Sequence, residues 1–336
     1  MIKIALIVAG IASAISMSAQ AETRLTLGDS YQLQHHINHQ GVVPWMERVT
    51  ELSNNEIKFD HFPGQQLGKF ADLPALLESG VADIVQIGSG LMSGDYPLTG
   101  VAALPGFSTS AEQTTHAFNA MLRKEGPLRE EYTGKGLHPL FYFCFPNTEI
   151  AFRSKQVLKP EDLAGLKVRT NNELQANVIR AYQGNPVNLP STDLYTSIER
   201  GTIDGAMIPY SSMKSYGFPE AADYATGGIP MGATCLGYAM METTWQQLPE
   251  EVKAVLEQAS TEIIDSFSKF LDEDSDRSIE AIEAEGMKVT VVAPEELERW
   301  IAPLSSIPEQ WIAEMTGKGL EGQKVVDMWL ETLSSM

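Results

Sequence analysis

Arg169 is the side chain in this sequence whose type and position best fit recognition chemistry. It lies near the carboxyl end of residues 166–170, whose alternating apolar positions predict a β-strand. The planar guanidinium of arginine can bind a carboxylate through two parallel hydrogen bonds. The spacing by itself favours a simpler interpretation, an exposed strand arginine that pairs with a surface acid.

Two other clusters have residue types that bind ions. His35, His36 and His39 include two imidazoles four residues apart, as a metal site on a helix would need, but no acidic residue lies between them. Gly88-Ser89-Gly90 follows a predicted strand and has the composition of an anion-binding nest. We favour polar or pocket-lining histidines in the first case and a tight turn in the second. The sequence therefore predicts neither a metal nor a cofactor.

Motifs of common enzyme classes are absent from the sequence. We find no G-x-S-x-G elbow, H-E-x-x-H helix, phosphate loop or dinucleotide fingerprint. The acid–base pair that we can nominate for a hydrolase or a lyase is Glu149 with His35. We expect a protein that is not an enzyme.

An internal repeat indicates two related α/β lobes. Segment 73–84 is echoed by segment 194–205, with Leu, Glu, Gly and Asp at matching offsets. Each copy is typical of a helix that ends at a glycine in the left-handed cap position and leads through a turn into a strand, at 84–87 and 205–208. Strands and helices alternate through both halves, which predicts largely parallel sheets with ligand sites at the carboxyl ends of the strands.

A long helix is predicted over about residues 250–285. Pro249 and two glutamates suit its start, and apolar residues keep the 3.6-residue period until Gly286. At 1.5 Å per residue it would be about 50 Å long. We expect it to bridge both lobes.

Residues 1–21 have the three regions of a cleavable signal peptide. Lys3 precedes an apolar run, and Ala19-Gln20-Ala21 forms a small-x-small cleavage site. We expect cleavage after Ala21 and a periplasmic mature protein that does not itself span the membrane, because no other apolar stretch approaches about 20 residues. Cys144 and Cys235 allow either one disulfide or two free thiols.

The charge balance excludes nucleic acid as a partner. The chain of 336 residues has 24 Lys and Arg against 44 Asp and Glu, a formal charge of −20. Proteins that bind a phosphate backbone carry clustered positive charge instead. A locally basic segment, 153–169, nevertheless contains Arg169 within this acidic chain.

The sequence from Pro160 onward resembles a known family. It reads PEDLAGLKVRT, then GNPVNLP from Gly184 and DLYTSIERGTIDG from Asp193, and the first half contains FPGQQLG from Phe62. These motifs are similar to those of the dicarboxylate-type solute-binding proteins of TRAP (tripartite ATP-independent periplasmic) transporters. The resemblance implies a two-lobed, periplasmic-binding-protein-like α/β fold with a ligand cleft between the lobes. It also implies delivery of an organic acid to the small and large membrane permease subunits.

The resemblance gives Arg169 the role of the family arginine that clamps the ligand carboxylate. Where many members have a further arginine about twenty residues upstream, this chain has Glu149, with Arg153 the nearest cation. Where many members have an asparagine after the Asp-Gly pair, this chain has Ile208. These departures predict a monocarboxylate with an apolar or aromatic body, or a short hydroxy or keto acid.

The remaining candidate site residues divide into an apolar wall and a polar set. The apolar wall consists of Met207, Ile208, Tyr210 and Phe145. The polar set consists of Ser30, His35, Ser89, Asn147 and Glu149, with Arg153 and Gly88 as second-tier candidates. We place lobe I at residues 22–147 plus about 235–270, and lobe II at 148–234 plus about 271–336. A secreted two-lobed hydrolase or lyase and a ligand-sensing adaptor for a membrane receptor stay as alternatives.

Overall fold

The protein is described by a computed structural model that covers residues 23–88, 92, 94–107 and 110–336. The predicted signal peptide, residues 1–21, and Ser89 lie outside the described residues. The strands are β1 (Thr23–Gly28), β2 (Ile57–Phe62), β3 (Ile84–Gly88), β4 (Leu137–Cys144), β5 (Glu149–Phe152), β6 (Lys167–Thr170), β7 (Asn185–Asn188), β8 (Gly205–Ile208), β9 (Tyr224–Gly227), β10 (Cys235–Met241) and β11 (Lys288–Val291).

The helices alternate with these strands through most of the chain. The α-helices are α1 (Val43–Leu52), α2 (Leu73–Glu78), α3 (Ala111–Arg123), α4 (Pro127–Thr133), α5 (Glu173–Ala181), α6 (Leu194–Glu199), α7 (Tyr210–Met213), α8 (Phe218–Ala221), α9 (Glu242–Gln247), α10 (Glu250–Ala284), α11 (Leu297–Ile301), α12 (Ile307–Gly317) and α13 (Gly322–Ser334). A π-helix covers Ile37–Val42, and short 3₁₀ helices cover Phe70–Asp72, Leu98–Ala103, Pro160–Leu163, Ser191–Asp193, Pro294–Glu296 and Ala302–Leu304.

Two sheets form the two lobes. The first has the strand order β2-β1-β3-β10-β4, and the second has the order β11-β9-β5-β8-β6-β7. The repeat is visible in both: β1 lies parallel to β2 and β3, and β6 lies parallel to β7 and β8. Antiparallel pairing occurs at the strands next to the segments that cross between the lobes. β10 is antiparallel to β3 and β4, and β5 is antiparallel to β8 and β9. The predicted two-lobed α/β fold is confirmed.

The helices of the repeat also end as predicted. α2 is followed by Gly80 at φ +70°, and α6 is followed by Gly201 at φ +68°. This left-handed conformation costs glycine little because it has no Cβ. Each glycine thus turns the chain into the next parallel strand.

Two short segments carry the chain between the lobes. Residues 145–148 lead from β4 to β5, and residues 228–234 lead back from β9 to β10. They are hydrogen-bonded to each other, since Phe145 N–H donates to Thr234 O at 3.0 Å and Thr148 N–H donates to Gly232 O at 3.2 Å. A disulfide joins Cys144 to Cys235 at the first-lobe end of both segments. The sequence had left this pairing open.

The long helix α10 spans 35 residues and contacts both lobes. At the first lobe, Trp45 Nε1 donates to Ser260 Oγ at 3.2 Å. At the second, Glu285, the residue that follows the last turn of α10, pairs with Lys214 at 2.6 Å. The helix therefore forms a third connection between the lobes, as the sequence predicted.

Helix α13 differs from the predicted division, which placed all of 271–336 in lobe II. α13 packs on α3 of the first lobe, where Gln113 Nε2 donates to Leu333 O at 3.0 Å. Trp329 Nε1 donates to Phe107 O at 3.2 Å and the Trp329 ring contacts Phe118. Trp329 is fully buried in the same hydrophobic cluster as Trp311 of α12. Helix α13 thus packs with the first lobe, whereas Trp300 O of α11 accepts from the Tyr182 hydroxyl of the second lobe at 2.7 Å.

Candidate functional site

A cavity of about 650 Å³ lies between the carboxyl ends of strands from both sheets. From the first lobe it is lined by residues that follow β1 and by residues of β3 and β10, and from the second lobe by residues that follow β6 and β7 and by the segment after α7. A smaller compartment of about 50 Å³ adjoins it. The main cavity is lined by Ser30, Tyr31, Gln32, Gln34, His35, Gly64, Gln65, Phe70, Gln86, Gly88, Arg169, Asn171, Pro190, Ser191, Thr192, Ser215, Tyr216, Thr234 and Leu236.

Arg169 lines both compartments and is 3% exposed. Its position on β6, between β7 and β8, brings it beside backbone carbonyls of its own lobe. Nε donates to Leu189 O at 2.9 Å, Nη1 to Met207 O at 3.2 Å and Nη2 to Ser191 Oγ at 3.1 Å. An arginine side chain has five N–H groups. These three bonds therefore leave one N–H on each terminal nitrogen without a protein acceptor.

No carboxylate of the described residues pairs with Arg169. Burial lowers the pKa of Arg169 to about 10, which still leaves the guanidinium charged at neutral pH. A buried charge without an ionic partner is costly, since neutral acceptors replace only part of its hydration. An anion that entered the cavity could supply the missing ionic partner.

The rest of the cavity wall is uncharged. Of the described residues that line either compartment, Arg169 alone belongs to the Lys, Arg, Asp and Glu group. Burial, and then the neighbouring His36, lower the pKa of His35 to about 2, so its imidazole is neutral at physiological pH. One positive charge in a neutral cavity matches a ligand with one negative charge.

The first-lobe side of the cavity is a hydrogen-bonded platform. Ser30 donates to Gln86 Oε1 from both its backbone N, at 2.9 Å, and its Oγ, at 2.7 Å. Tyr31 N–H donates to Asp29 Oδ1 at 3.0 Å, and Tyr31 O accepts from Asn38 Nδ2 at 2.7 Å. Gln86, Asp29 and Asn38 are each at most 1% exposed. The loop after β1 is thus held in place by buried polar groups.

Aromatic rings meet across the cavity. The Tyr31 ring lies 4.5 Å from the His35 ring, centroid to centroid, and both belong to the first lobe. The His35 ring in turn meets the ring of Tyr216, from the second lobe, edge to face at 5.6 Å. These rings give the cavity an apolar surface of aromatic character.

The structure brings some of the predicted site residues together at this place. Ser30, His35, Gly88 and Arg169 line the main cavity. Phe145, Met207 and Ile208 line the small compartment together with Arg169. Three of the four residues of the predicted apolar wall therefore line the smaller space, whereas Tyr210 lines neither compartment. Gly88 has no room for a larger residue, because a Cβ there would lie 2.8 Å from the Leu236 side chain.

Other predicted residues line neither compartment. Glu149 is buried and accepts a hydrogen bond from Tyr210 N–H at 2.9 Å. The side chains of Glu149 and Tyr210 both pack against Gly227, where they leave no room for a Cβ. Asn147 lies in the crossing segment, outside the lining of either compartment. Arg153 is exposed and lies against Gly201.

The acid–base pair nominated for an enzyme is not assembled. The Glu149 carboxylate hydrogen-bonds Tyr210, whereas His35 Nδ1 accepts from Ile37 N–H at 3.3 Å. The described residues also contain no group of three or more His, Cys, Asp or Glu side chains arranged to hold a metal ion. In the same part of the chain, no helix is long and apolar enough to cross a membrane.

Sequence reasoning missed several cavity residues from both lobes. The missed residues that line both compartments, as Arg169 does, are Tyr31, Asn171, Ser191, Tyr216, Thr234 and Leu236. Asn171 directly follows β6 and Tyr31 lies three residues after the end of β1, so the rule that ligands bind at the carboxyl ends of strands could have found them. Gln86 lies inside β3 and Tyr216 follows α7, and no sequence signal marks either one.

Comparison with known proteins points to a single family. The profile of DctP, described as bacterial extracellular solute-binding protein, family 7, matches residues 30–314. The chain is 28% identical over 222 residues to the 2,3-diketo-L-gulonate-binding periplasmic protein YiaO of Escherichia coli (strain K12). That match spans 66% of this chain and 66% of the relative, just under two thirds of each.

Solved structures show the same fold at low sequence identity. A TRAP solute-binding protein from an unidentified marine microbe, specific for aromatic acid ligands and in complex with metahydroxyphenylacetate, aligns with a TM-score of 0.87 at 23% identity, over 94% of this chain and 99% of the other. A TRAP solute-binding protein from Rhodoferax ferrireducens T118 with copurified benzoate aligns with a TM-score of 0.86 at 20% identity, over 93% and 98%. The family match, which spans most of the described chain, confirms the resemblance seen in the sequence motifs: the chain belongs to the bacterial extracellular solute-binding proteins of family 7, the solute-binding proteins of TRAP transporters.

Proposed function

We propose that this protein is the extracytoplasmic receptor of a TRAP transporter and captures an organic monocarboxylate in the cavity between its lobes. Arg169 binds the carboxylate, and the loaded protein delivers it to the small and large membrane subunits of the permease. The observation that carries this proposal is the buried Arg169 guanidinium, which presents two unused N–H groups to the cavity and has no carboxylate partner among the described residues.

The energetics favour a strong contribution from this ion pair. An exposed pair contributes about 0–1 kcal/mol. Removing one partner of a buried pair costs about 3–5 kcal/mol, and each 1.4 kcal/mol is about tenfold in affinity. Loss of Arg169 should therefore weaken binding by at least about 100-fold.

The cavity supports an aromatic or apolar ligand body. Its volume of about 650 Å³ lies within the range of about 300–1,000 Å³ that is typical of small-molecule sites. This is more room than a short hydroxy or keto acid fills, so we place such acids second. The rings of Tyr31, His35 and Tyr216 offer surfaces on which an aromatic body can pack. The two structural relatives bind aromatic acids, which supports the same class.

The signal peptide proposed for residues 1–21 would direct the protein to the periplasm. Cleavage after Ala21 would leave Glu22 as the first residue of a periplasmic protein. Mass spectrometry of the protein purified from periplasmic extract tests this directly. An intact chain that retains residues 1–21 in that fraction would contradict it.

The decisive experiment is a ligand screen followed by calorimetry. The mature protein is unfolded, dialysed and refolded to remove copurified acids, and its melting temperature is measured with benzoate, 3-hydroxyphenylacetate, mandelate, lactate and pyruvate. A ligand that binds only the native state raises this temperature. The acid with the largest effect is then titrated into wild type, Arg169→Met and a control, Arg180→Met, which alters an exposed arginine on α5.

We expect tight binding by wild type and by Arg180→Met, and an affinity at least about 100-fold lower for Arg169→Met. Circular dichroism and urea unfolding establish that the variants are folded. Equal affinity of wild type and Arg169→Met, or the absence of any stabilising acid, would refute the proposal.

A further inference from the structure

Residues from both lobes line the junction of the two compartments, which we define as the set of residues that border both spaces. The residues that line both spaces include Arg169, Asn171, Ser191 and Tyr216 from the second lobe, together with Tyr31 from the first. Thr234 of the crossing segment and Leu236 of β10 complete the set. The smaller space holds only about 50 Å³, which is the size of a small polar group such as a carboxylate.

A carboxylate at this junction needs more donors than Arg169 supplies. Its two oxygens have about four lone-pair sites, and two N–H groups of Arg169 satisfy two of them. In a cavity from which water is excluded, the remaining sites require further donors, because a buried acceptor without a partner is costly. The neighbouring hydroxyls are the groups that can provide them.

Tyr31 is the hydroxyl best placed and prepared for this role. Gln86 lies beside the Tyr31 hydroxyl and acts to lower its pKa, and the Gln86 carbonyl is occupied by both Ser30 donors, which fixes the orientation of the amide. With its oxygen committed to Ser30, the Gln86 amide can act on the Tyr31 oxygen only as a donor, so the Tyr31 proton stays available to donate. Burial, and then the neighbouring Tyr216 and Asp29, raise the pKa of Tyr31 well above its usual range, so the hydroxyl keeps that proton.

The alternative donors do not link the lobes. Tyr216 belongs to the same lobe as Arg169, and it lines the smaller space beside Ser191 of that lobe. Thr234 lies in a segment that crosses between the lobes. Tyr31 is thus the aromatic hydroxyl at the junction that comes from the lobe opposite Arg169.

We propose that the Tyr31 hydroxyl donates a hydrogen bond to the carboxylate held by Arg169, so that the carboxylate bridges the two lobes and holds the cleft closed. Gln86 is a positioning residue that orients this hydroxyl through the chain Ser30, Gln86, Tyr31. This inference rests on the function proposed above. It adds that the first lobe recognises the carboxylate itself, whereas Arg169 alone would leave that task to the second lobe.

The test uses Tyr31→Phe, which keeps the ring and its contact with His35 but removes the hydroxyl. The control is Tyr195→Phe, which removes an exposed hydroxyl on α6 outside the cavity. Benzoate and 3-hydroxyphenylacetate are the probes, and if another acid of the screen stabilises wild type more, that acid is used as well. Calorimetry gives the dissociation constant, and stopped-flow fluorescence gives the association and dissociation rates.

We expect Tyr31→Phe to bind about 10-fold to 100-fold more weakly, the range for a hydrogen bond to a charged group. The loss should appear mainly as faster dissociation, because the bond forms when the cleft closes. Gln86→Leu should weaken binding in wild type but have little further effect in Tyr31→Phe. Simple additivity of the two changes would overturn the positioning role of Gln86.

The outcomes separate the two proposals. If Arg169→Met loses binding while Tyr31→Phe binds as wild type does, the Tyr31 inference fails and the proposed function stands. A weakening that appears equally in Tyr195→Phe would also overturn it. If no acid binds wild type, the proposed function fails and the Tyr31 inference fails with it.

Discussion

Asp83 and Asp204 occupy the same position in the two copies of the repeat, and each holds the neighbouring strand by two hydrogen bonds. Asp83 N–H donates to Thr26 O at 2.9 Å, and Asp83 Oδ2 accepts from Thr26 N–H at 2.8 Å. Asp204 N–H donates to Lys167 O at 2.7 Å, and Asp204 Oδ2 accepts from Lys167 N–H at 2.8 Å. The repeat in the sequence therefore preserves a contact that aligns parallel strands where β3 and β8 begin.

Replacing either aspartate by alanine should destabilise its own lobe. Each change leaves a backbone N–H without its acceptor, and we expect a loss of about 1 kcal/mol in the free energy of unfolding. Urea unfolding measures this, with Glu314→Ala as the control, since its exposed pair with Lys318 contributes little. If the aspartate variants unfold at the same urea concentration as the control, the hydrogen bonds of Asp83 and Asp204 to the neighbouring strand do not contribute to stability.

Breaking the Cys144–Cys235 disulfide should lower stability more. The bond closes a loop with a sequence separation of 91 residues and ties the two crossing segments together. We expect the Cys144→Ala, Cys235→Ala double variant to lose about 2–4 kcal/mol in the free energy of unfolding. Urea unfolding of wild type with and without reductant gives the same comparison, with free thiols verified by mass spectrometry. An unchanged midpoint after verified reduction would contradict the prediction.

Glu149 should make stability depend on pH. Burial raises the pKa of Glu149 from 4.5 to about 8 in the folded protein, while the unfolded chain keeps the ordinary value. The folded state therefore binds more protons between these values, and the contribution is fully present below pH 4.5 and lost as the pH rises through 8.

Glu149→Gln removes this titration and keeps an acceptor for Tyr210 N–H. We expect it to be more stable than wild type at pH 9, by roughly 1–3 kcal/mol, with a smaller advantage at pH 5. Urea unfolding across this range checks the sign. A difference between the two proteins that does not change with pH would show that Glu149 is not buried as a neutral acid.

Arg169→Lys should bind an organic acid more weakly than wild type but better than Arg169→Met. Lysine keeps the charge, but its three donors cannot serve Leu189 O, Met207 O, Ser191 Oγ and the ligand together. Calorimetry with benzoate should show a loss of on the order of 10-fold to 100-fold. Affinity equal to wild type would mean that charge alone, without the planar fork, is sufficient.

The sequence by itself determined the local architecture and the family. The repeat, with its glycine caps, predicted helices and strands that the structure confirms, and the predicted start and length of α10 agree with Glu250–Ala284. These features depend on residue periodicity and capping, which act within a few residues of the chain. The same local motifs placed Arg169 at the carboxyl end of its strand, where the structure shows it beside the cavity.

Only the tertiary structure decided which side chains meet there. Tyr31 and Arg169 are far apart in the chain and come together because two lobes, joined by paired crossing segments and α10, face each other. Glu149 turned away from the cavity because the register of β5 against β8 places it beside Tyr210. Strand register, lobe orientation and the Cys144–Cys235 pairing arise from contacts between distant segments, and no local sequence pattern contains that information.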